Sequence, residues 1–294
     1  MAGLVLRRDR HASVFTYDEK TFAVTQSMKD AYNDNGYVLI RNVLNDAEMT
    51  KLKAGLESPG IQKHAYNTSD GSRDTRMVLW FHCGDDMTGA VASCEKIAGT
   101  MEKLMGGDEV YHLSSKLLMK APQTGGSFLW HQDYGYFYKW GYMYPNNASV
   151  FIAIDDCNLD NGCLQVLRGS HKMGRVDHIP VGKQLSADPE RVEEAKKRLD
   201  LIAVDMKAGD VLYFNSNLLH CSGPNKSNSR RWSYVIAYNE RSNLSYMTKG
   251  HLQYTPHPLY TPLVKVPNSK LITCDGVITD QKWFLKAEED KARD

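Results

Sequence analysis

The pattern of apolar and polar residues divides the chain into a helical first third and a strand-rich remainder. Asn45, followed three residues later by Glu48, resembles a capping box, and apolar residues at helical spacing follow until Ser58-Pro59-Gly60. We therefore predict helices over residues 26–33, 45–57 and 87–104, with a strand over residues 37–43. The apolar positions of the third helix predict that it packs as a brace on a sheet.

Beyond residue 108 the chain has short apolar segments, divided by clusters of Gly, Asn, Asp and Pro. Short strands at this spacing are typical of a sandwich or barrel. The predicted strands are 110–119, 128–134, 148–155, 163–167, 201–206, 211–214 and 231–238. A charged stretch that opens at Asp188-Pro189 predicts a helical insertion near residues 181–200.

No linker interrupts the chain, so we expect a single domain over residues 1–294 with an all-β core and supporting N-terminal helices. Residues 1–107 would carry the first helices and strands, and residues 108–240 the core. Residues 241–294 would form a C-terminal extension, with an irregular surface segment over 248–264 and a charged, frayed tail over 286–294.

Composition narrows the class of protein. The 294 residues are 42% hydrophobic and 24% charged, and the formal net charge of +1 provides no basic field for nucleic acid. No apolar run reaches the length of a membrane span, and residues 3–6 are too short for a signal peptide. The six cysteines lack a Cys-x-x-Cys spacing, which predicts reduced thiols. We expect a soluble intracellular, cytoplasmic protein, whose oligomeric state the sequence leaves unknown.

The run His131-Gln132-Asp133 carries the first candidate chemistry. On an extended segment, side chains two residues apart point to the same side, so this His and Asp can hold one ion together. With a remote second His they would form the 2-His-1-carboxylate triad of non-haem Fe(II) oxygenases. His220 is the best candidate because it ends an apolar, strand-like run. The alternative is that all three are polar residues at strand ends.

Three stretches carry a resemblance to a known family. They are His131-Gln132-Asp133, the strand and turn from Asn161 to Lys172, and the segment from His220 to Ser227 with Arg231 eleven residues after His220. In this order they resemble the phytanoyl-CoA dioxygenase family of Fe(II)/2-oxoglutarate-dependent oxygenases, over roughly residues 33–239. The resemblance implies a double-stranded β-helix, a cupin-like jelly-roll barrel.

The resemblance also implies a set of site residues. His131, Asp133 and His220 would hold Fe(II), which leaves positions for 2-oxoglutarate and O2. Arg231 would pair with a carboxylate of 2-oxoglutarate, and Arg230 is the competing choice. Further contacts are predicted from Ser222, Ser233 and Phe151. An aromatic position of the family's cosubstrate pocket that can be Trp corresponds to Phe151 here. Lys120 would either face the cosubstrate or extend its ammonium to the surface.

A dense aromatic run over residues 134–144 starts directly beside two of the candidate ligands. Its members either wall the substrate pocket, with Tyr134, Tyr136 and Trp140 as the candidate contacts, or pack at the rim of the barrel.

We therefore predict an Fe(II)- and 2-oxoglutarate-dependent dioxygenase that hydroxylates a small molecule and releases succinate and CO2. Acyl-CoA hydroxylation is the first alternative. Desaturation, epoxidation and cyclisation also remain open because the metal ligands do not determine the fate of the substrate. A non-catalytic barrel that binds a ligand is the alternative from another class.

Overall fold

The structure is a computed structural model that describes residues 12–247, 262–276 and 284. The predicted tail over residues 286–294 and the apolar residues 3–6 lie outside this part of the chain. Of the predicted surface segment over residues 248–264, only residues 262–264 are described. In the described part of the chain, no helix combines the length and the apolar character that crossing a bilayer requires.

Strands dominate the second half of the chain, as the apolar pattern predicts. The described strands are β1 (Val14–Thr16), β2 (Tyr37–Arg41), β3 (Tyr66–Ser69), β4 (Asp74–Trp80), β5 (Val110–Lys120), β6 (Phe128–His131), β7 (Asn147–Ala153), β8 (Leu164–Leu167), β9 (His178–Val181), β10 (Gln184–Ala187), β11 (Leu201–Ala203), β12 (Val211–Asn215), β13 (His220–Ser222) and β14 (Arg231–Glu240).

Helices flank these strands. They are α1 (Gln26–Asn35), α2 (Asp46–Glu57), α3 (Pro59–Gln62), α4 (Met87–Ser93), a π-helix (Glu95–Gly99), α5 (Thr100–Leu104), α6 (Asp133–Lys139), a 3-10 helix (Ser170–Met173), α7 (Pro189–Lys196) and α8 (Lys270–Thr273).

The strands form two sheets and a separate hairpin. The larger sheet has the order β1-β2-β12-β7-β14-β5-β4-β3, and the smaller sheet has the order β11-β8-β13-β6. β9 and β10 pair only with each other among the described strands. Every described pair of neighbouring strands is antiparallel except β1 with β2. Antiparallel sheets joined in this way are typical of the predicted jelly roll.

Each strand of the larger sheet places alternate residues on opposite faces. The outer face, with Ile152 and Ile236, packs against helical residues such as Leu52 and Met101 in one buried cluster. The inner face packs against the smaller sheet in a second cluster, whose members include Phe151, Leu164, Val166, Leu212 and Val235. Burying one such side chain stabilises the fold by about 1.5–3 kcal/mol. The space between the two sheets is where the candidate ligands meet.

The predicted N-terminal helices form with small changes of boundary. α1 runs two residues beyond the prediction and ends at Gly36, whose φ of 85° is the left-handed conformation that glycine adopts without strain. The capping box of α2 is present, because the Asn45 side chain accepts from the Glu48 backbone N–H at 3.1 Å and the Glu48 carboxylate accepts from the Asn45 backbone N–H at 2.9 Å.

The predicted helix over residues 87–104 is interrupted. Cys94 has an extended backbone, with ψ of 155°, and separates α4 from the π-helix and α5. At this break Cys94 forms a bridge with Val266, and the Glu95 backbone N–H donates to the Val266 carbonyl at 3.1 Å. The pattern of residues 87–104 cannot reveal this break, because it is made by a segment far along the chain.

Other segments also differ from the prediction. The helical insertion near residues 181–200 contains a helix only in its second half, because residues 184–187 are β10 of the β9–β10 hairpin. The predicted strand over residues 128–134 ends at His131. The β3–β4 hairpin was not predicted at all, although it closes one end of the larger sheet.

Candidate active site

His131 and His220 lie opposite each other in the smaller sheet. His131 ends β6, His220 begins β13, and the two are register partners of the antiparallel pair. Their ring centroids are 4.1 Å apart. The Oδ1 atom of Asp133 lies 3.8 Å from Nε2 of His131 and 3.9 Å from Nε2 of His220. The three residues can thus direct one ligand atom each into a common space, with these atoms all within 4.8 Å of one another.

Asp133 lies at the start of a helix and not within the predicted strand. The strand ends at His131, and Asp133 is the first residue of α6. Gln132 keeps an extended backbone, with φ of −111° and ψ of 136°, and joins the two elements. The predicted strand ends at His131 and not at residue 134, but the extended backbone at Gln132 still brings the His131 and Asp133 side chains together.

Hydrogen bonds orient all three candidate ligands. Nδ1 of His131 donates to the Leu129 carbonyl at 2.6 Å, and Nδ1 of His220 donates to the Leu218 carbonyl at 2.9 Å. Because a carbonyl only accepts, each ring carries its proton on Nδ1 and turns the lone pair of Nε2 toward Asp133. Oδ2 of Asp133 accepts from the Ser149 hydroxyl at 2.5 Å, which leaves Oδ1 for an ion.

The protonation states also suit a metal. Burial, together with the nearby His220, lowers the pKa of His131 to about 3, so the imidazole is neutral near pH 7. Burial likewise lowers the pKa of His220. Burial raises the pKa of Asp133, but His220, Lys116 and the Ser149 hydroxyl outweigh this effect and the pKa is lowered. Two neutral imidazoles and one carboxylate fit a divalent transition metal.

Arg231 opens β14 on the inner face of the larger sheet and is completely buried. Nη1 donates to the Ser233 hydroxyl at 3.0 Å, and Nη2 donates to the Gly162 carbonyl at 2.6 Å. Within the described part of the chain its Nε has no hydrogen-bond partner, and its Cζ lies 5.8 Å from the centre of the Phe151 ring. Among the described residues, no carboxylate forms a salt bridge with this guanidinium. A buried cation that lacks its counter-ion fits the carboxylate of an anionic ligand.

Lys120 is a second buried cation beside Arg231. Its ammonium donates to the Ser222 carbonyl at 3.2 Å and to the Gly223 carbonyl. Burial lowers the pKa of Lys120 well below its usual value, and the charge of Arg231 acts in the same direction. Lys120 is therefore not extended to the surface, which was one of the two readings of the sequence.

Arg230 has a different environment from Arg231. Its guanidinium is partly exposed and forms salt bridges with Glu57 at 2.7 Å and Asp155 at 3.2 Å. These carboxylates already neutralise its charge. Of the two adjacent arginines, only Arg231 lies on the wall of the cavity that contains the three candidate ligands.

The aromatic run divides between the cavity and the protein interior. Tyr136 and Trp140 line the cavity, and the Tyr136 ring meets His131 edge-on with centroids 5.9 Å apart. Tyr134 is not among the lining residues. It is buried, and its hydroxyl donates to the carbonyls of Tyr142 at 3.1 Å and Met143 at 2.6 Å. This position does not support the predicted substrate contact of Tyr134, because the side chain packs in the protein interior. Phe151 and Ser222 do line the cavity.

A match to a family model establishes the family to which the chain belongs. The phytanoyl-CoA dioxygenase family model matches residues 32–233, which is more than half of the sequence. The chain belongs to the phytanoyl-CoA dioxygenase family. This membership confirms the predicted class, a dioxygenase that depends on iron and 2-oxoglutarate, and it matches the range over which the sequence resemblance was drawn.

Relatives and solved structures of this dioxygenase family support the same fold. The chain is 28% identical to L-proline trans-4-hydroxylase of Streptomyces griseoviridis over 267 residues, covering 83% of this chain and 96% of the relative. It is 28% identical to 2-aminoethylphosphonate dioxygenase of the uncultured bacterium HF130_AEPn_1, covering 74% and 82%. The crystal structure of EctD from S. alaskensis with 2-oxoglutarate and 5-hydroxyectoine has a TM-score of 0.68, 23% identity, and coverage of 83% and 88%.

Several residues that support the dioxygenase site were missed by the sequence analysis. The buried side chain of Gln132 donates to the carbonyls of Gly174 at 2.8 Å and Asn217 at 2.7 Å, and accepts from the Val176 backbone N–H at 2.7 Å. The Gln132 backbone N–H donates to Nε2 of His178 at 2.9 Å. The sequence contains part of this information. Adjacent side chains on an extended segment point to opposite sides, so Gln132 points away from His131, where a buried polar side chain must find hydrogen-bond partners.

Proposed function

We propose that this dioxygenase hydroxylates a small molecule while converting 2-oxoglutarate to succinate and CO2. The observation that carries the proposal is the position of the buried, unneutralised Arg231 on the wall of the same cavity as His131, Asp133 and His220. One part of this cavity suits a metal and the other suits an anion, which is what joint use of iron and 2-oxoglutarate requires.

Each residue has a defined task in this proposal. His131, Asp133 and His220 would hold Fe(II). Arg231 would pair with a carboxylate of 2-oxoglutarate. Ser233 accepts from Arg231 and so positions the guanidinium, while Ser222 and Phe151 complete the wall. When bound, iron and 2-oxoglutarate supply the activation of O2; the protein supplies binding, orientation and exclusion of water.

The aromatic side chains supply the substrate side of the cavity. Tyr136 lies beside the ligand His131, so a molecule stacked on Tyr136 or Trp140 would lie next to the metal ligands. Aromatic walls of this kind bury apolar parts of a ligand and keep water away from the reacting atoms. The two relatives named above, L-proline trans-4-hydroxylase and 2-aminoethylphosphonate dioxygenase, support a small substrate. The cytoplasmic location and the single-domain organisation remain predictions.

Anaerobic titration with Fe(II) and then with 2-oxoglutarate tests the proposal, followed by measurement of succinate in air. We expect 2-oxoglutarate to bind the iron-loaded protein, and succinate release to rise when a small-molecule substrate is added. Absence of iron-dependent 2-oxoglutarate binding would instead favour the non-catalytic barrel.

A further inference from the structure

Two lysines on the cavity wall have no task in the proposed function. Lys116 lies on β5 and Lys183 lies in the turn between β9 and β10, so the two come from separate elements. Both line the cavity that contains His131, Asp133 and His220. Arg231 accounts for the cosubstrate, and Asp133 is the only acidic residue among the described residues of this wall. The part of the cavity left for substrate is therefore cationic.

Lys116 lies close to the candidate metal ligands. Lys116 and the candidate ligands His131, Asp133 and His220 line the same cavity. The Nζ atom of Lys116 is 6.0 Å from the centre of the Tyr136 ring, at the aromatic wall. Within the described part of the chain, Lys116 has neither a salt bridge nor a side-chain hydrogen bond. A partly buried ammonium in this situation favours an anionic group that enters with a ligand.

The position of Lys183 is set by the hairpin that carries it. The Lys183 backbone N–H donates to the Ser69 carbonyl at 3.1 Å, and its carbonyl accepts from the Thr68 hydroxyl at 3.3 Å. The neighbouring Gly182, with φ of 59°, approaches Gly71 so closely that an added Cβ would lie 2.8 Å from the Gly71 nitrogen. The turn is thus fixed against the end of β3, and it holds the exposed Lys183 at the rim of the cavity.

We infer that Lys116, assisted by Lys183 at the rim, binds the acid group of the substrate, and that the substrate is a small carboxylic or phosphonic acid. This inference rests on the proposed function and names its substrate class. Tyr136 and Trp140 would contact the apolar part of the same molecule, beside the metal ligands. The site would thus orient a small acid by a charge on one side and by aromatic rings on the other. A CoA thioester does not match this arrangement, in which the acid group lies inside the cavity.

A substrate panel tests the class. Succinate release by the iron-loaded enzyme is measured with small carboxylic and phosphonic acids, with their uncharged amides and esters, with amines and with acyl-CoA thioesters. We expect the compounds that stimulate release to be small acids. Stimulation mainly by uncharged, cationic or CoA compounds would overturn the inference, and so would an acid set that neither binds nor stimulates. Loss of iron or 2-oxoglutarate binding would overturn the proposed function itself, so the two failures are distinguishable.

Variants of Lys116 test its assignment with the most stimulating acid. Lys116→Met should raise the KM for the acid about tenfold to a hundredfold, while the KM for 2-oxoglutarate and the affinity for Fe(II) stay unchanged. Lys116→Arg should restore most of the affinity, because it keeps the charge. Lys183→Met should have a smaller effect, because the exposed ammonium is more screened by solvent. Lys139→Met is the matched control, since Lys139 is exposed on α6 and lies outside the cavity wall.

Binding of the acid without turnover gives a second readout. Anaerobic calorimetry with iron and 2-oxoglutarate present should show the same loss of acid affinity in Lys116→Met, and no loss for the corresponding amide. Equal losses for the acid and its amide would mean that Lys116 only shapes the cavity. A loss of 2-oxoglutarate affinity of the same size would assign Lys116 to the cosubstrate, which also overturns the inference.

Discussion

His131 and His220 are cross-strand partners, with ring centroids 4.1 Å apart at the junction of β6 and β13. Residues that lie 89 positions apart in the sequence are thus brought together by one pair of hydrogen-bonded strands. The third candidate ligand, Asp133, comes from the start of α6. Because a strand pair and a helix start supply the ligands, the three side chains meet only when β6 is paired with β13 and α6 begins at Asp133.

The first prediction concerns the ligands themselves. His220→Ala should abolish tight Fe(II) binding and 2-oxoglutarate turnover. Zn(II), Ni(II) and Cu(II) should inhibit the wild-type enzyme, because they bind similar ligands comparably or better but do not perform the O2 chemistry. Metal content and succinate release are the measurements. His171→Ala is the control, since that ring contacts the Asn33 carbonyl and does not line the cavity. Unchanged iron binding in His220→Ala would remove His220 from the site.

The second prediction concerns Ser149, which donates to Oδ2 of Asp133 at 2.5 Å. Ser149→Ala should weaken Fe(II) affinity about tenfold to a hundredfold, because the carboxylate loses the hydrogen bond that orients it. Ser114→Ala is the matched control, since the buried Ser114 hydroxyl has no hydrogen-bond partner among the residues that the structure describes. Anaerobic Fe(II) titration measures the difference. If both variants bind iron equally well, Ser149 has only a packing role.

The third prediction separates the adjacent arginines. Arg231→Leu should weaken 2-oxoglutarate binding by about 2–5 kcal/mol, the typical cost of removing one partner of a buried charged pair. Arg230→Leu should leave this affinity unchanged, because Arg230 pairs with Glu57 and Asp155 instead. Calorimetry on the iron-loaded protein makes the comparison. A larger effect from Arg230→Leu would reverse the assignment, and equal loss of iron binding would indicate misfolding.

The fourth prediction concerns the aromatic wall. Tyr136→Ala and Trp140→Ala should weaken substrate affinity by about 1–3 kcal/mol and uncouple 2-oxoglutarate consumption from product formation. Binding of 2-oxoglutarate should not change. Tyr138→Ala serves as control, since Tyr138 is 47% exposed and contacts Arg175 at the surface. If both wall variants keep coupled turnover and normal substrate affinity, Tyr136 and Trp140 only pack at the rim of the barrel.

The fifth prediction concerns a close approach between α6 and the β9–β10 hairpin. A Cβ added to Gly135 would lie within 2.5 Å of three ring atoms of His178, the residue that accepts from the Gln132 backbone. Gly135→Ala should therefore destabilise the protein by about 1–3 kcal/mol and weaken Fe(II) binding. Gly55→Ala in α2 should be neutral or stabilising, because its Cβ would meet Met87 at 3.4 Å. Thermal unfolding and iron titration decide between these outcomes.

The features that the sequence predicted correctly depend on residues close together in the chain. The capping box at Asn45 and the shared face of Arg231 and Ser233 follow from the spacing of neighbouring residues, and both are present. The break at Cys94 depends on Val266, and β10 depends on its pairing with β9. The residues within these two segments do not indicate which distant segment they will pair with. For the same reason, the sequence does not indicate that Ser149 contacts Asp133 or that Lys116 lines the cavity. Both positions depend on residues far away in the chain.

The β9–β10 hairpin has a consequence for how this fold can diversify. It belongs to neither sheet and is held by side-chain and backbone bonds at its edges, among them those of Gln184 to the Leu129 backbone N–H and the Ser127 carbonyl. The smaller sheet and the start of α6 carry the candidate iron ligands, while the larger sheet carries Arg231. The turn at Lys183 can therefore vary between related proteins without changing the iron ligands or Arg231, while His178 and Gln184 keep the hairpin against the segment that carries His131 and Asp133. Substrate preference can thus change at this turn while the residues proposed for the reaction stay the same.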